Sequence, residues 1–204
     1  MDTKSIIQMP GYRYNEYLLV LSPHEELCNK IKKVKEEFSE KYKSEQAKWG
    51  KPNVTLVNFV QFEMMEERII NRLKIIAMGY TPFKVDLKDF GSFPGHTIFI
   101  NIETKQQVQN LVKEIKPAQQ LLKLNKENKP HFIDDPYLAV ARKLLPWQYE
   151  QGWKDYSQRN FTGRFIADNM LLIKRRVGDK AYQVVQRFDF MNLPVTTKQG
   201  ELFL

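Results

Sequence analysis

Two stretches decide the fold, KPNVTLV at residues 51–57 and DPYLAVAR at residues 135–142. In each, a proline comes shortly before a run that is typical of a β-strand. A helical pattern and two further strand patterns follow each stretch. We interpret this order as a duplicated unit, which predicts two pseudo-symmetric lobes with a cleft between the equivalent strands. Two antiparallel sheets with helices outside would bury the apolar faces.

The remaining patterns supply the other elements. A strand over Tyr17–Leu21 precedes a helix, for which Ser22 is the expected cap, Pro23 the first helical residue and Glu25 the partner in a capping box. A second capping box, Thr104 with Gln107, predicts a helix that stops before Pro117. The other predicted elements are helices at 63–78, which Gly79 is placed to end, and at 146–158, strands beginning at 83, 98, 164 and 182, a turn at 90–95, and a polar link at 121–135.

Composition narrows the class of protein. The 204 residues suit one domain, with a tail after about residue 194, and the net charge is +8 with a pI near 9.4. Such a surplus favours anionic partners such as nucleic acid or phosphorylated ligands. The lone Cys28 cannot form an internal disulfide, and no apolar run approaches the length of a membrane helix. We therefore expect a cytoplasmic monomer without a membrane anchor.

The two stretches resemble the motifs of the 2H phosphoesterase superfamily, the 2′-5′ RNA ligase-like proteins. That family carries a His-x-Thr/Ser motif in each half, commonly just after a proline and at the start of a strand. Asn53-Val54-Thr55 falls on the first motif and Tyr137-Leu138-Ala139 on the second, and the similarity extends from about Tyr17 to Phe190. The resemblance implies an α+β fold in which two antiparallel sheets surround a central cleft.

The resemblance also implies a chemistry that this sequence has altered. In the family, two histidines exchange protons with the reacting groups, and the Thr/Ser hydroxyls hold phosphate oxygens. Asn53 cannot exchange a proton near neutral pH, Tyr137 has an unperturbed pKa of about 10, and Ala139 has no hydroxyl. Only Thr55 remains, so we predict no confident catalytic residue. For binding a phosphorylated ligand we predict Asn53, Thr55, Tyr137, Arg142 and Arg164.

No other residues form a convincing catalytic set. His24 falls in the first turn of a helix, His96 precedes a strand, and His131 lies six residues before Tyr137, where a loop could carry it into the cleft. No Cys/His set has the spacing of metal ligands, and no glycine pattern matches a nucleotide loop. We expect neither a metal nor a cofactor.

Three functions remain open from the sequence. The first is a catalytically degenerate domain that binds RNA ends, nucleotides or another phosphorylated ligand in its cleft. The second is an active 2′,3′-cyclic phosphodiesterase or RNA ligase-like enzyme with substitute residues. The third is a protein-interaction or structural relic. A basic cleft would separate the first two from the third, and a hydrolysis assay would separate the second from the first.

Overall fold

A computed structural model describes residues 11–193. Its strands are β1 Tyr14–Leu21, β2 Val54–Phe62, β3 Phe83–Phe93, β4 Thr97–Ile102, β5 His131–Phe132, β6 Tyr137–Ala141, β7 Thr162–Ala167, β8 Asn169–Arg176 and β9 Gln183–Asp189. Its α-helices are α1 Glu25–Lys41, α2 Glu66–Gly79, α3 Lys105–Ile115, α4 Gln119–Leu122 and α5 Pro146–Tyr156. Short 3₁₀ turns lie at Glu45–Lys48, Glu63–Met65 and Lys116–Ala118.

The strands form an antiparallel array in two halves. The order is β7-β3-β4-β6-β2-β1-β8-β9, with β5 also beside β2. The halves meet between β2 and β6, where Val54 opposite Leu138 is the single paired position. Every other neighbouring pair shares a longer ladder or, for β5, two positions. The α+β class and the antiparallel sheets predicted from the sequence are confirmed.

One side of this array carries the apolar core. Helix α1 packs against β6 and β7, α2 against β9, and α3 against β2 and β3. The apolar side chains between sheet and helices form one contiguous cluster. Val20 and Phe99 are buried but lie outside that cluster. Each is the cross-strand partner of a motif residue, Thr55 and Ala139 respectively, and so lies with it on the face away from the helices. That opposite face carries the motif positions.

The capping boxes predicted from the sequence are wrong. Helix α1 begins at Glu25, and the residue before it, His24, makes no side-chain cap. Thr104 does precede α3, but its hydroxyl accepts a hydrogen bond from the backbone N–H of Asp86 at 3.0 Å instead of capping the helix. Tertiary contact with β3 therefore displaced the local cap, which is worth only about 1 kcal/mol.

The strand predicted to begin at residue 164 is two strands. β7 pairs with β3 in one half, whereas β8 pairs with β1 in the other. The chain crosses between them at Asp168, whose carbonyl accepts the backbone N–H of Phe190 at 2.8 Å. Strands β7 and β8, which follow the second stretch, therefore separate into different halves. The two predicted units match in order, but they do not each form one lobe.

The predicted turn at 90–95 is also shorter in the structure. β3 continues to Phe93, which pairs with Thr97 across a tight turn. Gly95 has a φ of +84°, a conformation that L-residues with a side chain rarely adopt. The predicted polar link at 121–135 contains the short strand β5. The tail predicted after residue 194 lies outside the described residues.

Candidate functional site

The two motif stretches meet at the junction of the halves. Val54 and Leu138 pair across the junction, and both are fully buried in the core. Since side chains alternate along a strand, the flanking residues project to the opposite face. Continuing the antiparallel register sets Asn53 opposite Ala139 and Thr55 opposite Tyr137. The structure thus brings all four motif positions together on one face.

The first motif position is polar. The amide Nδ2 of Asn53 donates to the carbonyl of Lys51 at 3.0 Å, and its Oδ1 accepts a hydrogen bond from the Thr55 hydroxyl at 3.4 Å. Thr55 is only 9% exposed, whereas Asn53 is half-buried. This long hydrogen bond leaves the Thr55 hydroxyl weakly engaged, so a phosphate oxygen could replace the Asn53 amide as its acceptor.

The second motif position is aromatic. The Tyr137 ring lies 5.1 Å from the Phe93 ring and 4.9 Å from the Phe99 ring, centroid to centroid. Phe99 is set opposite Ala139, and Gly91 lies on its other side. A Cβ at Gly91 would lie 2.6 Å from the Phe99 ring and from the Asn101 side-chain oxygen, so a larger residue there would displace one or both of them. This half of the face offers flat rings in place of an imidazole and a hydroxyl.

Arg142 joins the aromatic half of the site. Its guanidinium carbon lies 5.3 Å from the centroid of the Tyr137 ring, a cation–π geometry. Arg142 is exposed and sits directly after β6. Burial raises the pKa of Tyr182, and the charges of Arg175 and Arg142 oppose that rise. Arg142 therefore lies beside the second motif position.

Arg164 does not join the site. It lies on β7, at the edge of the array, with β3 and β4 between it and β6. Its Nε donates to a carboxylate oxygen of Asp86 at 2.6 Å. This bond, together with Lys84, holds the pKa of Asp86 below its usual value. Ligand binding by Arg164 stays a prediction, and the structure gives it a different partner.

The three histidines lie away from the motif positions. His96 is in the β3–β4 turn, where its Nδ1 lies 2.7 Å from the Thr97 hydroxyl and its ring stacks on Phe93 at 6.2 Å. His131 pairs with Asn58, well along β2, and is exposed. His24 is exposed before α1. No histidine therefore replaces the missing pair at positions 53 and 137.

A buried lysine that sequence reasoning did not identify supports the first motif. Lys35 of α1 is 6% exposed, and its Nζ donates to the carbonyls of Trp49 at 2.8 Å and Gly50 at 2.9 Å. Burial first, then the charges of Arg142 and Lys32, lower its pKa to about 8. The available signal was its spacing, since Lys35 follows Ile31 by one helical turn and so occupies the buried face.

Among residues 11–193, no group of three or more His, Cys, Asp or Glu side chains is arranged to hold a metal ion. Within the same range no helix has the length and apolarity needed to cross a bilayer. The site at the junction consists of the Asn53 amide, the Thr55 hydroxyl, the rings around Tyr137 and the Arg142 guanidinium.

The family model described as the 2′-5′ RNA ligase superfamily matches residues 23–179. The chain belongs to that superfamily. Its 2H phosphoesterase resemblance, inferred from the motif stretches, is therefore confirmed. No curated protein matches the chain in sequence.

Solved structures agree on the fold of this 2′-5′ RNA ligase superfamily member. E. coli LigT complexed with 3′-AMP is similar at 12% identity and a TM-score of 0.59, over 87% of this chain and 98% of LigT. TT0787 of Thermus thermophilus is similar at 12% identity and a TM-score of 0.58, over 86% and 98%. LigT complexed with NADP⁺ gives 12% identity and a TM-score of 0.55, over 87% and 98%. At such identities the likeness shows the fold alone.

Proposed function

We propose that this protein binds a phosphorylated ligand, such as an RNA end or a nucleotide, on the motif face without catalysing its hydrolysis. The observation that supports the proposal is the arrangement at the junction of β2 and β6. A hydroxyl and an amide, from Thr55 and Asn53, lie across from the aromatic ring of Tyr137, with Arg142 over that ring. These groups can donate hydrogen bonds, stack and supply positive charge.

The same arrangement lacks the means of general acid–base catalysis. Such catalysis needs a group that titrates near the working pH and lies within hydrogen-bond reach of the reacting atoms. Asn53 does not titrate, and no histidine occupies position 53 or 137. The amine of Lys35, whose pKa burial lowers to about 8, is directed at the carbonyls of Trp49 and Gly50. The net charge of +8 and the positive groups beside the motif favour an anionic ligand over an uncharged one. LigT has been crystallised with 3′-AMP, phosphate, ATP and NADP⁺, which makes adenine nucleotides the first probes to use.

A binding titration tests the proposal. We expect AMP to bind, and its affinity to fall as the salt concentration rises, because a phosphate contact with cations displaces counterions. Thr55→Val keeps the side-chain shape but removes the hydroxyl, and should weaken binding about tenfold, the value of a hydrogen bond to a charged group. Ser157→Ala, which removes a hydroxyl at the end of α5, is the matched control and should bind as the wild type does. No binding of AMP at millimolar concentration would contradict the proposal.

A further inference from the structure

Two lysines contact one tryptophan beside the motif face, and Arg142 follows a strand that packs nearby. Lys35 donates to the Trp49 carbonyl, and the Lys180 Nζ lies 4.8 Å from the centroid of the Trp49 ring. Arg142 directly follows β6, and β6 packs against α1 and against the 3₁₀ turn Glu45–Lys48 that precedes Trp49. We call Lys35, Trp49, Arg142 and Lys180 the Trp49 cluster. Its members come from α1, from the segment before β2, from the end of β6 and from the β8–β9 connection, so the tertiary fold assembles it.

No carboxylate compensates these charges. Within residues 11–193, none of the cluster's three cations has an Asp or Glu oxygen within ion-pair distance. Lys174, by contrast, pairs with Glu63 and Glu66. An assembled group of like charges without a counter-charge destabilises itself, and a bound anion would relieve that repulsion.

The Trp49 cluster adjoins the first motif position. The Asn53 amide donates to the carbonyl of Lys51, two residues after Trp49, so the segment that carries Trp49 leads directly into the site. In the antiparallel register Asn53 lies opposite Ala139, and Arg142 follows three residues later. At about 3.3 Å per residue, Arg142 begins roughly 10 Å from the first motif position. Long basic side chains can cover the gap to a neighbouring phosphate of the same ligand.

We propose that the Trp49 cluster is a second anion subsite, which takes another phosphate of the ligand whose first phosphate lies at Asn53 and Thr55. The inference rests on the proposed function and narrows it. The preferred ligand carries at least two phosphates, either adjacent to each other or on either side of a ribose. Arg142 serves both subsites, because its guanidinium lies over Tyr137 and the strand that it follows packs against α1 and the turn before Trp49.

Affinities for three adenine nucleotides test the subsite. AMP carries one phosphate, ADP two adjacent phosphates, and adenosine 3′,5′-bisphosphate two phosphates on either side of the ribose. We expect at least one of the latter two to bind about tenfold or more tightly than AMP, the gain from charge-assisted hydrogen bonds to a second phosphate. Whichever binds more tightly identifies the spacing, and either result supports the subsite.

Charge-matched double variants locate the effect. The variant Arg142→Gln with Lys180→Gln should lose the advantage of the second phosphate and bind all three nucleotides within about threefold of one another. The control, Lys41→Gln with Arg159→Gln, removes the same charge from the helical side, where these residues pair with Asp155 and Glu37. It should keep the advantage. Circular dichroism and thermal unfolding check that both variants remain folded.

The outcomes distinguish the two proposals. Equal affinity of the wild type for AMP, ADP and the bisphosphate overturns the second subsite and leaves the first intact. An advantage that both double variants lose overturns the assignment to the Trp49 cluster, because net charge then explains it. Binding of the bisphosphate that Thr55→Val leaves unchanged, but that the cluster variant abolishes, places an anion site at the Trp49 cluster. It contradicts the proposed function and, with it, the inference that one ligand spans both subsites. Failure of all three nucleotides to bind overturns both.

Discussion

The two motif positions occupy equivalent places in the fold and carry different chemistry. Val54 and Leu138 pair across the junction, so Asn53 lies opposite Ala139 and Thr55 lies opposite Tyr137. At the first position, Asn53 and Thr55 keep hydrogen-bonding groups that are half-buried or buried. At the second, Tyr137 packs against Phe93 and Phe99, and Ala139 has no polar group. The two positions therefore have matching geometry but different side-chain chemistry, and each can be tested separately.

Rebuilding both motifs should give the largest effect. The wild type should hydrolyse 2′,3′-cyclic AMP at or near the uncatalysed rate. The triple variant Asn53→His, Tyr137→His and Ala139→Thr restores both proton-transfer groups and the second hydroxyl. We expect it to exceed the wild type by about 10²-fold or more, with a bell-shaped pH dependence from the two histidines. Initial rates between pH 5 and 9 measure both properties.

Single substitutions are the controls for this gain. Asn53→His or Tyr137→His alone leaves one proton transfer without a catalyst, so each should stay close to the wild type. Turnover by the wild type that survives both Asn53→Ala and Tyr137→Phe would contradict the degenerate-site interpretation, since substitute residues would then carry the reaction.

The sequence predicted the motif strands because the pattern that indicates them lies within a few residues and occurs twice in the chain. A proline before a strand pattern occurs at both places, and the structure starts β2 at Val54 and β6 at Tyr137. The division between β7 and β8 was missed, although a signal existed. The buried residues Phe165 and Ala167 alternate in one phase, and Met170 and Leu172 in the other. That change of phase marks the crossing at Asp168.

The Trp49 cluster could not be predicted from local patterns. The contact between Lys180 and Trp49 joins residues far apart in the sequence, and no periodicity connects them. Arg142 and Arg164 looked equally suitable in the sequence, since each lies in or beside a strand close to the second motif. Arg164 pairs with Asp86 of β3, away from the motif positions, whereas Arg142 does not. Only the order of the strands in three dimensions reveals this difference.

Stability measurements should separate the two positions next. Tyr137→Ala removes the contacts with Phe93 and Phe99 and the cation–π contact with Arg142, and should lower the free energy of unfolding by about 2 kcal/mol. Asn53→Ala removes long or partly solvated hydrogen bonds and should cost about 0.5 kcal/mol. Urea unfolding of both variants gives the comparison. Equal losses would contradict the view that the second position has become structural.

Tyr137→Phe refines that comparison. The ring contacts are retained and only the hydroxyl is lost, so the free energy of unfolding should stay within about 0.5 kcal/mol of the wild type. If the same variant weakens AMP binding, the phenol contributes to the ligand rather than to the fold. The two readouts together divide the role of Tyr137 between packing and recognition.

The segments that lead into the two motif strands are anchored differently, and the pH dependence of stability should reveal the difference. Lys35 holds Trp49 and Gly50 from a buried position, whereas Lys105 pairs with Asp135 at 2.6 Å on the surface. The lowered pKa of Lys35, about 8, means that the unfolded chain binds a proton more readily than the folded protein does between pH 8 and 10. The free energy of unfolding contributed by this group therefore rises with pH across that window.

Lys35→Met should remove this dependence, because methionine fills a similar volume and does not titrate. Between pH 8 and 10, the wild type should gain about 1–2 kcal/mol of unfolding free energy relative to Lys35→Met, less than the full shift corresponds to because the amine is incompletely shielded from water. Lys105→Met should show no comparable difference from the wild type, since an exposed ion pair contributes little. The window ends near pH 10, where ionisation of tyrosines in the unfolded chain begins to oppose the trend; burial raises the pKa of Tyr156 to about 12 in the folded protein. If the free energies of unfolding of the wild type and Lys35→Met change with pH in the same way, Lys35 carries its charge at no cost to the fold. The repulsion inferred for the Trp49 cluster would then be absent.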